Sequence, residues 1–337
     1  MLETTPIILT RPSATAPLEI FGFNGPVKNN LRFSARCIRD SWRQRQSPFS
    51  FWGGHSAVTQ NLITGIKTSG LGYSFNPTFI QKPESISIGV LAGKNTLEWA
   101  TRVVGTMEGS HLIVGPNVVE GPLNATDLLR SPSIQTILVP SPWVKDLWIK
   151  EDPYIEAKVE VWMSGVDSGF WTPSEQRGLS GVRRILIYVK SLRTDVAEEV
   201  GIVCKELNYE TEFIHAGRYS RNEYLRALRR SDAMIVVGGF ESQGLAMFEA
   251  WSADVPTLVW LNPNPPLSDR GATRYRSHQK GTEPSPYLSD ETGAFWSSLE
   301  VLSQMIEQLS IDGLNPRKWV MKNAQLEQCA ERYMDFF

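Results

Sequence analysis

Short apolar runs alternate with helix-like segments along the whole chain, and this alternation predicts a parallel α/β architecture. In the first half, the predicted strands are Phe49–Trp52, Gly72–Phe75, Ile86–Leu91, Leu112–Val114 and Thr136–Val139, with Leu18–Phe23 as a further strand ahead of them. The predicted helices between them include Ala57–Thr68, Thr96–Val104 and Pro142–Lys150.

The same alternation begins again after a passage rich in glycine and proline at residues 164–181, which predicts a linker. The predicted strands of the second half are Ile185–Val189, Glu212–His215, Ala233–Val237 and Thr257–Leu261, and its predicted helices are Val196–Leu207, Asn222–Arg229 and Leu245–Trp251. Two successive α/β series predict two Rossmann-like domains that face each other across a cleft. We expect a first domain at residues 1–164, a second at 165–320, and a C-terminal helix at 321–337 that packs back toward the first domain.

The composition is that of a globular protein with two domains. The chain has 337 residues, 41% of them hydrophobic and 21% charged, and a formal net charge of -2. Nucleic-acid-binding domains usually carry a basic stripe, so this balance speaks against a nucleic-acid partner. The three cysteines are far apart, no apolar run reaches the roughly 20 residues that span a bilayer, and the first 17 residues lack the pattern of a signal peptide. We therefore expect a cytoplasmic protein.

One segment, Lys28–Gln46, is strongly basic. It holds six lysine and arginine residues against the single Asp40, and apolar residues recur on its other side at helical spacing. The pattern fits a surface helix with a solvated basic face. It also fits a face that docks on anionic lipid or on a phosphorylated acceptor, so a peripheral contact with an anionic membrane is a candidate interaction.

The most informative stretch of the sequence is residues 233–262. The hydrophobic strand Ala233–Val237 is followed by two glycines and then by Glu241, at the carboxyl end of a strand, where open α/β sheets bind ligands. Gly244 and Leu245 open the next helix, whose first N–H groups have no partner within the helix and form a ready site for a diphosphate. Because Gly244 has no Cβ, a phosphate can approach the backbone closely.

A second carboxylate, Glu249, follows one turn into the same helix, on the face that looks back toward the same site. Two carboxylates can bracket a diphosphate, because their oxygens accept hydrogen bonds from sugar hydroxyls at one end and ribose hydroxyls at the other. Such a pair arises by chance about once in a chain of this length, and both residues could be solvated acids near a helix end. The order of strand, glycine loop, first glutamate, helix-opening glycine and second glutamate makes the pattern specific.

At these residues the chain resembles the retaining GT-B glycosyltransferases of glycosyltransferase family 4, whose signature is this Glu-x7-Glu. The resemblance covers roughly residues 48 to 335 and is much more specific in the second half. Val161–Pro173 is similar to the family's interdomain segment, RRILIYVKS is similar to the first strand of its donor domain, and Tyr287–Phe295 resembles its late glycine-containing turn. FWGGHSAVTQNLITG is similar to the family's opening strand, glycine pair and helix.

The resemblance implies a role for each matching residue around the motif. Glu241 would bind hydroxyls of the transferred sugar, and Glu249 would bind the ribose hydroxyls. The backbone N–H groups of Gln243, Gly244 and Leu245 would hold the distal phosphate.

Further candidates lie outside the motif. Gly53 and Gly54 would let a loop of the first domain close over the diphosphate, and His55, which follows them, could approach the reacting sugar or be structural. The family usually has Gly-Arg after the first donor-domain strand and a lysine a few residues later, whereas this chain reads YVKSLR. Lys190 and Arg193 are therefore either the phosphate-binding cations or ordinary surface residues.

The resemblance implies transfer of a hexosyl or pentosyl group from a nucleotide-diphosphate sugar to the hydroxyl of a glycan, lipid-linked or small-molecule acceptor, with retention of anomeric configuration. We expect no cofactor, since the nucleotide-sugar is a substrate, and no metal, since the chain has no Asp-x-Asp sequence and no zinc-like spacing of histidines and cysteines. Two alternatives stay open: a sugar-nucleotide epimerase on the same fold, and a non-catalytic nucleotide-sugar-binding module.

Overall fold

The computed structural model describes residues 5–13, 15, 54–80, 84–175, 182–190, 194–261, 283–308 and 313–337. The chain divides into two compact units: unit 1 comprises residues 1–140, 145–162 and 329–337, and unit 2 comprises residues 141–144 and 163–328. The predicted strands Leu18–Phe23 and Phe49–Trp52 and the basic segment Lys28–Gln46 lie outside the described residues.

Each unit contains a parallel sheet. The strands of unit 1 are β1 (Ile7–Leu9), β2 (Ser74–Phe75), β3 (Ser87–Ala92), β4 (His111–Asn117), β5 (Thr136–Val139) and β6 (Val159–Val161), in the spatial order β2-β1-β3-β4-β5-β6. The strands of unit 2 are β7 (Arg184–Val189), β8 (Glu210–His215), β9 (Ala233–Val237), β10 (Thr257–Trp260) and β11 (Gly293–Trp296), in the order β11-β10-β9-β7-β8. The predicted α/β class with two parallel sheets is confirmed.

The described helices surround these strands. They are α1 (Gly54–Thr68), α2 (Lys94–Val104), α3 (Thr126–Leu129), α4 (Pro142–Glu151), α5 (Thr194–Glu206), α6 (Arg221–Arg230), α7 (Leu245–Ser252), α8 (Leu299–Glu307), α9 (Pro316–Asn323) and α10 (Leu326–Met334). None of these helices is both long enough and apolar enough to cross a membrane.

The central strands of unit 2 are continuous apolar runs because helices cover both faces of the sheet. All five residues of β9 are buried, as are five of the six residues of β7. On one face the sheet packs against Tyr224, Phe248 and Trp251, and on the other against Val200 and Leu302. This core fixes the carboxyl ends of β7 and β9, where the candidate residues lie.

Residues 164–171, which their glycine content predicts as a linker, are instead packed inside unit 2. Val166 and Trp171 are buried, and the Trp171 ring meets the Tyr224 ring edge to face at 5.5 Å. The Arg317 guanidinium also donates to the carbonyl of Trp171 at 3.3 Å. Two apolar side chains and a cation thus tie this stretch to the core of unit 2.

Candidate functional site

The strand order of unit 2 changes direction between β7 and β9. The chain passes from β7 to β8 on one side, and then returns to place β9 on the other side of β7. In open parallel sheets, such a switch point opens a crevice at the carboxyl ends of the two strands, and ligands bind there. Lys190 directly follows β7, and its N–H donates to the carbonyl of Val237, the last residue of β9, at 2.9 Å.

Glu241 lies in the loop after β9, and its backbone is held on both sides. Its N–H donates to the carbonyl of Glu283 at 3.1 Å, and its carbonyl accepts from the indole Nε1 of Trp143 at 2.9 Å. Its Oε1 forms an ion pair with the ammonium of Lys190. The structure therefore brings two of the sequence-predicted residues, Glu241 and Lys190, into direct contact at the switch point.

Gly244 caps the N-terminus of α7 in a left-handed conformation, with φ of 90° and ψ of 48°. A Cβ at this position would lie 2.5 Å from the Cε of Met247 and 3.8 Å from the Cβ of Glu241, so the Glu241 side chain runs beside the glycine. Within the described part of the chain, no acceptor meets the N–H groups of Gly244, Leu245 and Ala246. The helix start therefore presents three open N–H groups next to a carboxylate, which suits an anion.

The side chain of Gln243 anchors the loop between β9 and α7. It is 5% exposed; its Oε1 accepts from the N–H of Ser164 at 3.0 Å and its Nε2 donates to the carbonyl of the same residue at 2.7 Å. Both polar ends of the amide are thus engaged by protein. Of this residue, only the backbone is placed to meet a ligand.

Glu249 lies in the second turn of α7. Burial raises the pKa of its carboxyl to about 8, and the nearby Arg221 guanidinium opposes this rise. The residue nevertheless keeps part of its surface exposed. Burial, with the charge of Glu249 adding to it, also raises the pKa of Tyr219, whose hydroxyl lies 3.2 Å from that of Tyr188.

Arg221 is a further candidate residue, absent from the set that the sequence predicts. It is the first residue of α6, at the carboxyl end of β8, and its guanidinium lies over the rings of Phe170 at 4.1 Å and Trp171 at 5.3 Å. A signal was present in the sequence. Ser220 and Glu223 form a capping box, a pattern that marks a helix start and so places Arg221 at the ligand-binding edge of the sheet.

The remaining predicted residues are not gathered at this point by the described structure. Gly53 and Arg193 lie outside the described residues. Gly54 and His55 are the first two residues of α1, and the side chain of His55 is not among those described.

Two further features of the described residues concern candidate sites: a surface groove and the placement of potential metal ligands. Unit 1 has a surface groove of about 610 Å³ between α2 and residues 123–131, and none of the predicted site residues lines it. Within the described ranges, no group of three or more histidine, cysteine, aspartate or glutamate side chains is placed to hold a metal ion.

Comparison with known proteins identifies the architecture. No protein-family model matches the sequence, and no curated protein matches it. Among solved structures, HepE from Anabaena in complex with UDP is similar with a TM-score of 0.53 and 10% identity, over 98% of this chain and 99% of that one. The fold is that of the GT-B glycosyltransferases.

Two further structures share this GT-B fold. HepE in complex with UDP and glucose has a TM-score of 0.50 and 10% identity, over 98% of both chains. The pneumococcal O-GlcNAc transferase GtfA in complex with UDP and GlcNAc has a TM-score of 0.50 and 11% identity, over 85% of this chain and 60% of that one. Identities this low establish the fold alone.

Proposed function

We propose that this protein is a glycosyltransferase that moves a hexosyl or pentosyl group from a nucleotide-diphosphate sugar to an acceptor hydroxyl, with retention of anomeric configuration, as in glycosyltransferase family 4. The acceptor is a glycan, a lipid-linked molecule or a small molecule. We further propose that the reaction takes place in the cytoplasm and needs no metal ion.

The proposal rests mainly on the open N–H groups at the start of α7. Three N–H groups, those of Gly244, Leu245 and Ala246, meet no acceptor in the described part of the chain, and they lie beside the Glu241 carboxylate at the switch point. A helix N-terminus with open N–H groups binds a phosphate. The carboxylate alongside accepts hydrogen bonds but cannot donate one to a phosphate, so its natural partner is the hydroxyl-bearing part of the same ligand.

The two glutamates divide the ligand between them in this proposal. Glu241, beside the open N–H groups, receives hydroxyls of the transferred sugar. Glu249, one turn further along α7 and close to Arg221 and Tyr219, receives the ribose hydroxyls. The diphosphate lies between them, on the N–H groups at Gly244.

The structural neighbours support a nucleotide-sugar as the donor. HepE was solved with UDP and with UDP and glucose, and GtfA with UDP and GlcNAc. Because all three complexes hold UDP, uridine nucleotides are the first donors to test.

Chemically, the site suits departure of a nucleoside diphosphate. The N–H groups at the start of α7 would stabilise negative charge on the leaving phosphate, which is an electrostatic contribution that can dominate catalysis. Retention follows if the acceptor attacks the face that the phosphate leaves, with a phosphate oxygen taking the acceptor's proton. No protein base is then required, which agrees with a site whose nearest carboxylate, Glu241, is already paired with Lys190.

The test compares Glu241→Ala with Glu249→Ala. Glu241→Ala should lower kcat/KM for donor turnover by roughly tenfold to a hundredfold, because charge-assisted hydrogen bonds of about 1.5–3 kcal/mol each are lost, yet it should leave the affinity for free UDP, GDP or ADP unchanged. Glu249→Ala should lower the affinity for the free nucleotide and for the donor alike. Calorimetry and a donor-hydrolysis assay measure both.

Glu206→Ala is the matched control, since this carboxylate is exposed at the end of α5 and should affect neither measurement. Full activity in a folded Glu241→Ala variant would exclude the proposed donor site. Donor binding without turnover would indicate the non-catalytic module, and conversion of the donor into an isomeric nucleotide-sugar would indicate the epimerase.

A further inference from the structure

Lys190 and Glu241 form an ion pair across the switch point of unit 2. The lysine follows β7 and the glutamate follows β9, and these strands are neighbours in the sheet. Gly238, which directly follows β9, lies against the lysine: a Cβ there would be 3.3 Å from the Cβ of Lys190, so the glycine leaves room for the lysine stem. The ion pair thus depends on the neighbouring positions of β7 and β9 in the sheet and on the missing Cβ of Gly238.

The two partners differ in burial. The Glu241 side chain is 14% exposed and the Lys190 side chain is 37% exposed. A carboxylate removed from water to this extent needs a charged or hydrogen-bonding partner, whereas an ammonium on a flexible stem remains solvated when its partner is absent. In the described part of the chain, Lys190 is the only side chain that hydrogen-bonds the Glu241 carboxylate. The glutamate therefore depends on the lysine more than the lysine depends on the glutamate.

The backbone of Glu241 is anchored on both sides. Its N–H and carbonyl are both hydrogen-bonded, to Glu283 and Trp143. The bond from Lys190 to Oε1 holds the end of the side chain and restrains rotation of the carboxyl group. The second oxygen, Oε2, is left without a partner among the described residues.

We infer that Lys190 is a positioning residue: its ammonium holds Oε1 of Glu241 so that Oε2 meets a hydroxyl of the transferred sugar, and it does not bind the diphosphate. This inference rests on the proposed function and revises the phosphate-binding role that the sequence suggests for Lys190. A lysine whose charge is matched by a neighbouring carboxylate offers little net charge to a phosphate. The three N–H groups at Gly244 fill that role instead.

The first experiment needs no ligand. Thermal unfolding of Lys190→Met, Glu241→Gln and the double variant measures the coupling between the two side chains. Lys190→Met should lower Tm by about 3 °C or more, because it strands a buried carboxylate, and by more than Glu241→Gln does. The double variant should be more stable than Lys190→Met alone. Additive shifts would show that the pair is absent in solution and would overturn the inference.

The second experiment separates positioning from phosphate binding. Lys190→Met should reduce kcat/KM for donor hydrolysis by roughly tenfold or more while the Kd for free UDP, GDP or ADP stays within about twofold, since free nucleotide lacks the sugar. Lys190→Arg should restore part of the activity, because a guanidinium can also pair with the carboxylate. Arg218→Met is the control: it removes an exposed cation after β8 and should change neither quantity.

A tenfold rise in the Kd for free nucleotide in Lys190→Met, without a comparable rise in Arg218→Met, would place Lys190 on the diphosphate and overturn the inference. If the wild-type chain binds none of the three nucleotides or their sugar conjugates, the proposed function fails and the role of Lys190 toward a sugar fails with it. The thermal cycle then still decides whether the ion pair exists, so the two failures are distinguishable.

Discussion

The side-chain amide of Gln243 makes two hydrogen bonds with the backbone of Ser164, accepting from its N–H at 3.0 Å and donating to its carbonyl at 2.7 Å. Ser164 is fully buried, and Gln243 is 5% exposed, so water does not replace these bonds. The pair ties the loop between β9 and α7 to the segment around Ser164, which belongs to unit 2. It therefore connects the stability of that segment with the position of Glu241 and Gly244.

Gln243→Glu should be strongly destabilising. The substitution keeps the length of the side chain but turns the Nε2 donor into an oxygen that faces the Ser164 carbonyl. A buried unsatisfied polar group costs about 1–3 kcal/mol, and a buried charge costs more. Gln243→Met removes both bonds without placing an oxygen against the carbonyl and should cost less. Urea unfolding ranks the two variants by their free energy of unfolding. Equal stability of Gln243→Glu and wild type would contradict the described pairing.

Gly244→Ala tests the left-handed start of α7. At φ of 90° an alanine is strained by about 1–2 kcal/mol, and its Cβ also displaces the Met247 methyl group. The matched control is Gly239→Ala, where a Cβ meets nothing within 4 Å and should cost little or stabilise slightly. Differential scanning calorimetry compares their Tm values. If both substitutions have the same effect, the left-handed conformation at Gly244 is not present in solution.

The ends of a strand are predicted best where the strand is an apolar run. The strands β9 and Thr136–Val139 are predicted with correct ends, because all five residues of β9 and the last three residues of Thr136–Val139 are buried and apolar. The strands β1 and β6 have three residues each and are too short for a pattern. The predicted turn at residues 287–295 continues into β11, where Gly293 is required because a Cβ would lie 1.9 Å from the carbonyl oxygen of Thr257.

The same contrast applies to the candidate site. Glu241, Gly244 and Glu249 were predicted because they follow one another along a single strand-loop-helix unit, where local pattern determines position. The contacts of Glu241 with Lys190 and Trp143 join residues 51 and 98 positions apart in the chain. Such contacts depend on the order of strands in the sheet and on tertiary packing. A local run of residues determines neither of them.

Glu249→Gln should change the pH dependence of stability. The pKa of Glu249 is raised from 4.5 to about 8, so between those values the folded state binds more protons than the unfolded state does. The stability that this group contributes is complete below pH 4.5 and is lost as the pH rises toward 8. Glutamine does not ionise, so the Tm of Glu249→Gln should gain on wild type as the pH rises from 5 to about 8.5. A constant difference across this range would contradict the raised pKa, and Glu206→Gln serves as the exposed control.

Ionisation of Glu249 should lower the stability of the fold but raise the protein's affinity for nucleotide. A carboxylate accepts hydrogen bonds from both ribose hydroxyls, whereas a protonated carboxyl has reduced acceptor capacity. The affinity of the wild type for UDP, GDP or ADP should therefore increase as the pH rises through about 8, and Glu249→Gln should bind weakly at every pH. Calorimetry at a series of pH values measures this. An identical pH profile in the variant would assign the dependence to another group.

Chelation should not abolish turnover, because the proposed site meets the diphosphate with N–H groups and not with a metal ion. The N–H groups of Gly244, Leu245 and Ala246 point out of a helix start and can stabilise the departing phosphate electrostatically, as a divalent cation does in other enzymes. Donor turnover should therefore persist in excess EDTA with metal-free substrates, while Gly244→Ala should reduce it, since a Cβ there clashes with Met247 and strains the helix start that carries the N–H groups. The assay is repeated with magnesium or manganese restored. Modest stimulation by magnesium agrees with the prediction, because the ion can remove inhibitory nucleotide from the site. Complete loss in EDTA with full rescue by metal would show that an ion carries the leaving-group charge, and the role given to the start of α7 would then be wrong while the fold stands.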